Sequence, residues 1–176
     1  MSEINQKVNK TSGIHAHNVQ IVVFKIGQEE YGLHIDQIKE VVITPNITRM
    51  PQTPSFVKGV ANVRGNVIAL LDLEEKFGLV RNLETLSKSN KFTLVIESED
   101  YKMGILVHEV PNTLSISTSS IEDSVFTGDQ QGEQAYITGI VKLDKRLIIM
   151  IDIFKVINEK DSQQFIKKQD TQTVDA

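Results

Sequence analysis

A stretch of nineteen residues that occurs twice is the feature that most constrains the fold of this chain. Residues 59–77 align without a gap with residues 139–157, so that Gly59 matches Gly139 and Asp72 matches Asp152, 80 positions further along. Ten further positions are apolar in both copies. Because a shared apolar pattern encodes a shared core, we expect the same local structure in both copies, and we expect the positions that differ to serve the function.

The segments before this repeat carry the alternating pattern of short β-strands. Residues 19–26 are rich in β-branched and aromatic residues and predict a strand, apolar and polar residues alternate over 31–35, and Gly27-Gln28 lies between them, which predicts a hairpin. Residues 36–43 fit either one helical turn or a strand. We favour a turn that leads into a strand.

A loop and a second hairpin follow. Three prolines between residues 45 and 54 predict the loop, because proline fixes φ and has no backbone N–H to donate. Two strands are predicted beyond it, over residues 56–63 and 66–71, with Arg64-Gly65 as the turn between them.

Each copy of the repeat ends at an aspartate that we expect to cap a short helix. Asp72 is followed three residues later by Glu75, which is the spacing of a capping box, and Gly78 is expected to end the helix. Asp152 stands at the same place in the second copy. The apolar positions of the helix that it caps are expected to face inward: Ile153, Val156 and Ile157.

The first hairpin also recurs, at a shift of 70 residues that places Tyr101 on Tyr31. Residues 91–107 therefore predict a strand, a turn and a strand. Ten additional residues then precede the second copy of the repeat, and we assign them to a loop over residues 117–134 with a helical turn at 120–125. The closing strands are predicted over residues 136–143 and 146–151.

These elements predict a mainly β fold of two tandem five-stranded antiparallel β-barrels packed together, with short capping helices and a C-terminal helix. The domain covers residues 19–158, with intertwined sub-barrels at about 19–80 and 91–152. Residues 1–18 lack periodicity and predict a disordered tail, and residues 159–176 predict a helix end and a polar tail. Short strand separations argue against parallel βαβ units.

Composition excludes several classes of function. The chain has no cysteine, so thiolate catalysis and cysteine zinc sites are absent and a reducing compartment, the cytoplasm, is expected. A net charge of -4 with scattered lysines and arginines disfavours nucleic acid as a partner. The longest apolar runs are five residues, too short to enter a membrane. His15 and His17 have no third ligand nearby, so we predict no metal site.

Two enzymatic readings of the titratable residues are weaker than structural ones. Asp72 and Asp152 could form the carboxylate pair of a hydrolase, but their apolar neighbours differ from the small residues around an aspartic protease dyad. A helix cap, with a contribution of about 1 kcal/mol, is the favoured role of each. His34 and His108 have no nucleophile or carboxylate at catalytic spacing, so a polar-face or core histidine is favoured over a base.

The turn that joins the two strands of the repeat differs most between the copies. Arg64-Gly65 is replaced by Asp144-Lys145, so the charge reverses. A turn arginine is commonly a solvated surface group, yet arginine is also enriched at binding hot spots because its planar fork combines hydrogen bonding with stacking. We hypothesise an ion pair between Arg64 and Glu40 on the rim of one barrel.

Four blocks of this sequence, at residues 30–41, 56–73, 103–107 and 136–153, together resemble the CheW family, the coupling proteins of bacterial chemotaxis. Residues 56–73, FVKGVANVRGNVIALLDL, match the longest block. The others lie in order along the chain, at Glu30 to Val41, Met103 to Val107 and Tyr136 to Ile153, so the match spans residues 19–158. His108 departs from the family, which often has an aspartate there.

The resemblance implies SH3-like barrels, no catalysis and no cofactor. It implies an adaptor that bridges the regulatory domain of the histidine kinase CheA to the cytoplasmic tips of chemoreceptors, recruited from the cytoplasm to membrane-associated arrays without inserting into the membrane. It does not identify the kinase-binding residues. Carried over by position, the receptor-facing groove comprises Ile38, Glu40, Asn62, Arg64 and Val107. The backbone-shaping glycines are Gly59, Gly65, Gly104 and Gly139.

Three other readings are weighed against this one. A family member that serves a second, non-flagellar signalling array would have the same sequence features. A hydrolase that uses Asp72 and Asp152 belongs to a different class and is disfavoured by the capping pattern. A CheV-type scaffold adds a receiver of about 120 residues, and we do not expect one because the sequence ends at Ala176.

Overall fold

The computed structural model describes residues 16–79, 89–123, 136–157 and 161. The predicted tails, residues 1–18 and 159–176, lie almost entirely outside them. The strands in chain order are β1 (Asn18–Ile26), β2 (Glu29–His34), β3 (Ile38–Ile43), β4 (Val57–Val63), β5 (Asn66–Leu71), β6 (Phe92–Glu97), β7 (Lys102–Val107), β8 (Asn112–Ser117), β9 (Ile121–Glu122), β10 (Ile137–Leu143) and β11 (Arg146–Ile151). The α-helices are α1 (Leu73–Lys76) and α2 (Ile153–Val156), and Ile35–Gln37 and Thr118–Ser120 form 3-10 turns.

Every strand predicted from alternation is confirmed to within two residues. The turn that leads into a strand at residues 36–43 is also confirmed, because the first 3-10 turn runs directly into β3. The predicted helical turn at 120–125 is wrong where it is described. A 3-10 turn ends at Ser120 and β9 follows, while residues 124–135 lie outside the described residues.

The strands form two sheets. One has six strands in the order β8-β1-β2-β11-β10-β9, and the other has five in the order β3-β6-β7-β5-β4. Most neighbours are antiparallel, but β2 runs parallel to β11 and β5 runs parallel to β7. The expected antiparallel pairing is therefore wrong for one pair of neighbouring strands in each sheet, and we call each of these two pairs a parallel seam. The parallel partners come from different halves of the chain, so no helical crossover is needed to join them.

Each sheet takes strands from both halves of the sequence. The six-stranded sheet combines β1 and β2 with β8 to β11, and the five-stranded sheet combines β3 to β5 with β6 and β7. The ranges 19–80 and 91–152 expected for the sub-barrels therefore describe neither sheet, although the halves are intertwined. Only the 3-10 turn Ile35–Gln37 separates β2 from β3, so the chain enters the other sheet before a third strand can fold back onto the first hairpin.

The pairing at the parallel seams corrects the alignment of the two hairpins. Gly32 pairs with Met150 and Gly104 pairs with Leu70. Met150 and Leu70 are equivalent in the repeat, so Gly32 is equivalent to Gly104, and the shift is 72 residues rather than 70. The number of additional residues before the second copy of the repeat is accordingly eight rather than ten.

Three apolar clusters fill this architecture. One lies within each sheet: Ile148 and Met150 belong to the cluster of the six-stranded sheet, and Ile68 and Leu70 occupy the equivalent places in the five-stranded one. The largest cluster takes residues from both sheets and from both helices, so it joins the sheets to each other. The two barrels therefore share one continuous core, which fixes the position of each sheet's edge strands.

Candidate functional site

The edge strand β3 carries two of the residues expected at a binding groove, Ile38 and Glu40. It pairs with β6 on one side and stands at the end of the five-stranded sheet. An edge strand offers backbone donors and acceptors to a partner, so it is a natural docking element.

The side chains of β3 point to two different faces. Val41 lies opposite Leu94, which belongs to the cluster between the sheets, whereas Glu40 lies opposite Val95, which belongs to the cluster of the five-stranded sheet. Residues directly opposite in antiparallel strands share a face. Val41 therefore faces the space between the sheets. Glu40 faces the other side of the five-stranded sheet, where that sheet's own apolar cluster lies.

The face of β3 towards the other sheet carries an apolar strip, which we define as Ile38, Val41 and Ile43. Ile38 packs partly against the cluster between the sheets, while Val41 is 44% exposed and Ile43 is 78% exposed. Sequence reasoning missed Val41 and Ile43. The signal was present, because at the correct shift of 72 residues their counterparts in β8 are the exposed polar residues Thr113 and Ser115.

The opposite face carries the ion pair that was hypothesised from the sequence. Arg64 Nε donates to Glu40 Oε2 at 2.6 Å. The Arg64 side chain is 73% exposed, so the pair lies at the surface and its contribution to stability is about 1 kcal/mol or less. The ion pair thus connects the turn of the β4–β5 hairpin to the edge strand β3.

Asn62 supports this turn. Its side-chain Oδ1 accepts a hydrogen bond from the backbone N–H of Gly65 at 2.8 Å. Asn62 is exposed on β4, two residues before Arg64, so its position is close to the ion pair along the chain. The structure brings Glu40, Asn62 and Arg64 together.

Val107 requires a correction. It is 2% exposed and belongs to the cluster between the sheets, where it lies opposite Phe92 across β6 and β7. A partner that docks on the surface cannot touch it. Its role is to support Phe92 and the neighbouring core. The face of β7 that carries Val107 is buried in the cluster between the sheets, whereas the corresponding face of β3 is partly exposed to solvent.

At three of the four glycines expected to shape the backbone, a neighbouring residue lies so close that a side chain would collide with it. A Cβ on Gly59 would lie 2.2 Å from the backbone oxygen of Thr48, and a Cβ on Gly139 would lie 2.6 Å from Ile121 and 3.0 Å from the backbone oxygen of Glu122. A Cβ on Gly104 would lie 2.5 Å from both Leu70 and Thr93. Gly65 faces open space, and its φ of +86° is the feature that favours glycine there.

The two aspartates of the repeat lie at helix N-termini. Asp72 Oδ1 accepts from Glu75 N at 3.2 Å, and Asp152 Oδ1 accepts from Phe154 N at 3.0 Å. The reciprocal half of the capping box is absent, because the N–H of Asp72 donates to Phe56 O and the Glu75 carboxylate bonds to Lys58. Each carboxylate is engaged with its own helix, which favours capping over catalysis.

A buried carboxylate that the sequence did not single out links the two sheets. Glu74 on α1 is 7% exposed, and its Oε1 accepts from the backbone N–H of Gly27 in the β1–β2 turn at 3.0 Å. His108 Nε2 lies 3.3 Å from the same oxygen. His108 is thus a partly buried histidine with a structural partner, consistent with the reading as a core residue.

Ion pairs also shape the surface around β3 and the parallel seams. Lys102 and Lys39 lie 2.9 and 3.3 Å from the Glu97 carboxylate, and the hydrogen bond from Lys102 is the main cause that lowers the pKa of Glu97. At the other seam, Arg146 donates two hydrogen bonds to Glu30, at 2.9 and 2.7 Å. These bonds hold the pKa of Glu30 below its usual value.

The residues that the structure describes offer neither a membrane-spanning helix nor a cluster of metal ligands. None of the helices in this part of the chain is long and apolar enough to cross a membrane. Among the same residues, no group of three or more His, Cys, Asp or Glu side chains is arranged to hold a metal ion.

Comparison with known proteins identifies relatives over most of the chain. A family model described as "CheW-like domain" matches residues 20–161. The chain is 32% identical over 141 residues to the chemotaxis protein CheW of Helicobacter pylori, covering 80% of this chain and 82% of that protein. It is 31% identical over 140 residues to CheW of Thermotoga maritima, covering 80% and 88%. The crystal structure of the scaffolding protein TtCheW from Thermoanaerobacter tengcongensis matches with a TM-score of 0.69 and 32% identity, covering 82% of this chain and 96% of that one.

Proposed function

Because this chain belongs to the CheW-like family, we propose that it is a non-enzymatic adaptor that couples chemoreceptors to the histidine kinase CheA in bacterial chemotaxis. The family match covers the whole of both sheets except the first two residues of β1. An adaptor acts through its surfaces and needs no catalytic group. The protein works in the cytoplasm and is recruited to membrane-associated receptor arrays.

The open edge strand β3 is the observation that carries this proposal. Exposed apolar side chains on an edge strand are a liability in a protein that acts alone, since they invite association. Thr113 and Ser115 occupy the equivalent places in β8 and are polar, so the fold does not require Val41 and Ile43 to be apolar. A partner that covers them is the reason we assign for their presence.

The proposed receptor-contact surface consists of the apolar strip and the Glu40–Arg64 pair. It retains Ile38, Glu40 and Arg64 from the sequence and adds Val41 and Ile43. Val107 supports this surface from beneath. The kinase's regulatory domain binds elsewhere on the same molecule, so that both partners are held at once.

Co-sedimentation with receptor-containing membranes and CheA tests the proposal. Arg64→Ala should weaken association roughly tenfold or more, because a central arginine contributes about 2 kcal/mol to an interface. Its melting temperature should change by less than about 2 °C, since the side chain is exposed and its ion pair contributes little to stability.

A second variant tests the apolar strip. Val41→Thr combined with Ile43→Ser gives β3 the polar residues of its counterpart and should also reduce association while the protein stays folded. Leu147→Ser is the matched control, because Leu147 is 60% exposed but lies on β11 of the other sheet. Unchanged co-sedimentation of folded Arg64→Ala and strip variants would contradict the proposal.

An adaptor of a second, non-flagellar array is the alternative within the same family. The same experiment separates the two readings when it is repeated with membranes that contain only one class of receptor. A hydrolase that uses Asp72 and Asp152 has no support in the contacts of these aspartates, which are bonded to their own helices.

A further inference from the structure

We infer that Asn62 is a positioning residue, which holds the Arg64-Gly65 turn in the conformation from which Arg64 reaches Glu40. The inference rests on the proposed function only in treating that ion pair as part of a binding surface. Asn62 was expected to contact the receptor directly, and the geometry assigns it a different role.

The turn that carries Arg64 has an unfavourable backbone conformation. Arg64 has a φ of +50° and Gly65 a φ of +86°, so both residues are in the left-handed region. Glycine adopts this region freely, but a residue with a long side chain does so at a cost because its Cβ approaches the following carbonyl oxygen. A turn of this kind persists where neighbouring contacts determine it.

The Asn62 side chain supplies such a contact. Its Oδ1 accepts from the N–H of Gly65 at 2.8 Å, which fixes the second residue of the turn relative to β4. Asparagine is well suited to this because its short amide bonds to the backbone a few residues along the chain. With the turn fixed, Arg64 Nε lies 2.6 Å from Glu40 Oε2.

The second copy of the repeat provides an internal control. Its turn also begins with a left-handed residue, Asp144 at a φ of +49°, although Lys145 is not left-handed as Gly65 is, and the residue equivalent to Asn62 is Lys142. Lys142 Nζ is engaged elsewhere, 3.1 and 2.9 Å from the carboxylate oxygens of Glu122. The hairpin therefore closes without an asparagine when the turn residue is aspartate, which tolerates left-handed backbone better than arginine does. The asparagine is present where the turn must carry an arginine.

The side-chain Nε–H signal of Arg64 in the ¹⁵N-labelled full chain tests this inference without any receptor. In the unmodified protein we expect a shifted signal that exchanges slowly with water, because Nε–H donates to Glu40. Asn62→Ala should bring the signal to the position and exchange rate of a free arginine. Asn62→Asp retains the acceptor oxygen and should restore the shifted signal. Lys142→Ala, the matched change in the second copy, should leave it unchanged.

Thermal melts provide a second measurement. Asn62→Ala should lower the melting temperature by a few degrees in the presence of Arg64, and by less than half as much in an Arg64→Gly background, where the turn needs no support. A general packing role would give equal losses in both backgrounds. If Asn62→Ala does not fold, the Asn62→Ala/Arg64→Gly protein should still fold, and its failure to do so would overturn the inference.

Two other results would overturn it: a shifted Arg64 signal that survives Asn62→Ala, and an Asn62→Asp protein that behaves like Asn62→Ala. Neither result depends on receptor binding. Loss of the positioning role and loss of the proposed function are therefore distinguishable, because the proposed function is tested by Arg64→Ala with receptor membranes.

Discussion

At the level of single residues, an ion pair between Arg64 and Glu40 connects the β4–β5 turn to the edge strand β3. The charge reversal between Arg64 and Asp144 predicts a specialised position at this turn, and the partnership of Arg64 with Glu40 is a hypothesis from the sequence. The structure confirms this pair at 2.6 Å. Val107 was wrong as a surface residue because an apolar residue near a strand end has the same pattern whether its face is covered or open.

The pair of Glu30 and Arg146 allows a prediction about pH. The pKa of Glu30 is lowered chiefly by the hydrogen bonds from Arg146, so folding favours the charged carboxylate. The pair therefore contributes stability above the ordinary glutamate pKa of about 4.3, and this contribution is lost as the pH falls through the lower folded-state pKa. Because Arg146 is 46% exposed, screening by solvent keeps this contribution small.

Urea denaturation between pH 7 and pH 3 measures this effect. Glu30→Gln should lower the free energy of unfolding by a constant amount near neutral pH, and the difference from the unmodified protein should shrink below about pH 4. In an Arg146→Gln background most of this pH dependence should vanish. If the difference in the free energy of unfolding between Glu30→Gln and the unmodified protein grew as the pH fell, the pair would not stabilise the protein through the charged carboxylate, and the prediction would be wrong.

At the level of elements, the sequence pattern predicted where most strands lie but missed β8 and β9, and it did not predict how the two hairpins are aligned. The misplacement of the second hairpin by two residues illustrates the reason, since an even shift leaves every side chain on the same face of the sheet. The match of Gly32 with Gly104 was the available signal. A Cβ on either glycine would collide with an equivalent side chain, Met150 at 2.6 Å in one sheet and Leu70 at 2.5 Å in the other.

The helix α1 was predicted from its cap, but its connection to the other sheet was not. Glu74 occupies the second helical position, where a carboxylate usually faces solvent, and here it accepts from Gly27 N–H in a turn of the six-stranded sheet. Sequence spacing carries no information about this contact because 47 residues separate its partners. It is a tertiary constraint, which local patterns do not encode.

Removal of this buried carboxylate should destabilise the protein. Glu74→Ala is expected to lower the free energy of unfolding by about 2–3 kcal/mol, because a buried hydrogen bond to a charged group contributes about that much. Glu74→Gln keeps an oxygen for Gly27 N–H and should cost less. The amide of Gly27 should exchange faster with solvent in Glu74→Ala. The exposed Glu29→Ala is the control, and equal losses in the two alanine variants would contradict the prediction.

At the level of the whole molecule, the exchange of strands between halves is the feature that no local pattern predicted. The two copies predicted two intertwined barrels at about residues 19–80 and 91–152, yet each sheet pairs the first hairpin of one copy with the later strands of the other. The periodicity of a strand is the same whichever neighbour it pairs with, so pairing partners are decided by connection lengths and by the global fit of the core. The three-residue turn between β2 and β3 was the one local hint.

This exchange should make unfolding cooperative across both sheets. Ile148 is fully buried in the cluster of the six-stranded sheet, and Ile148→Ala should cost about 2–5 kcal/mol. Because each sheet takes strands from both halves of the chain and both sheets contribute to a common cluster, the slowest amides of β6 and β7 in the other sheet should lose the same free energy of exchange as those of β10 and β11. The exposed Leu147→Ala should change neither set. Unaltered protection of β6 and β7 in folded Ile148→Ala would instead show that the sheets unfold independently, and that the common cluster does not couple them.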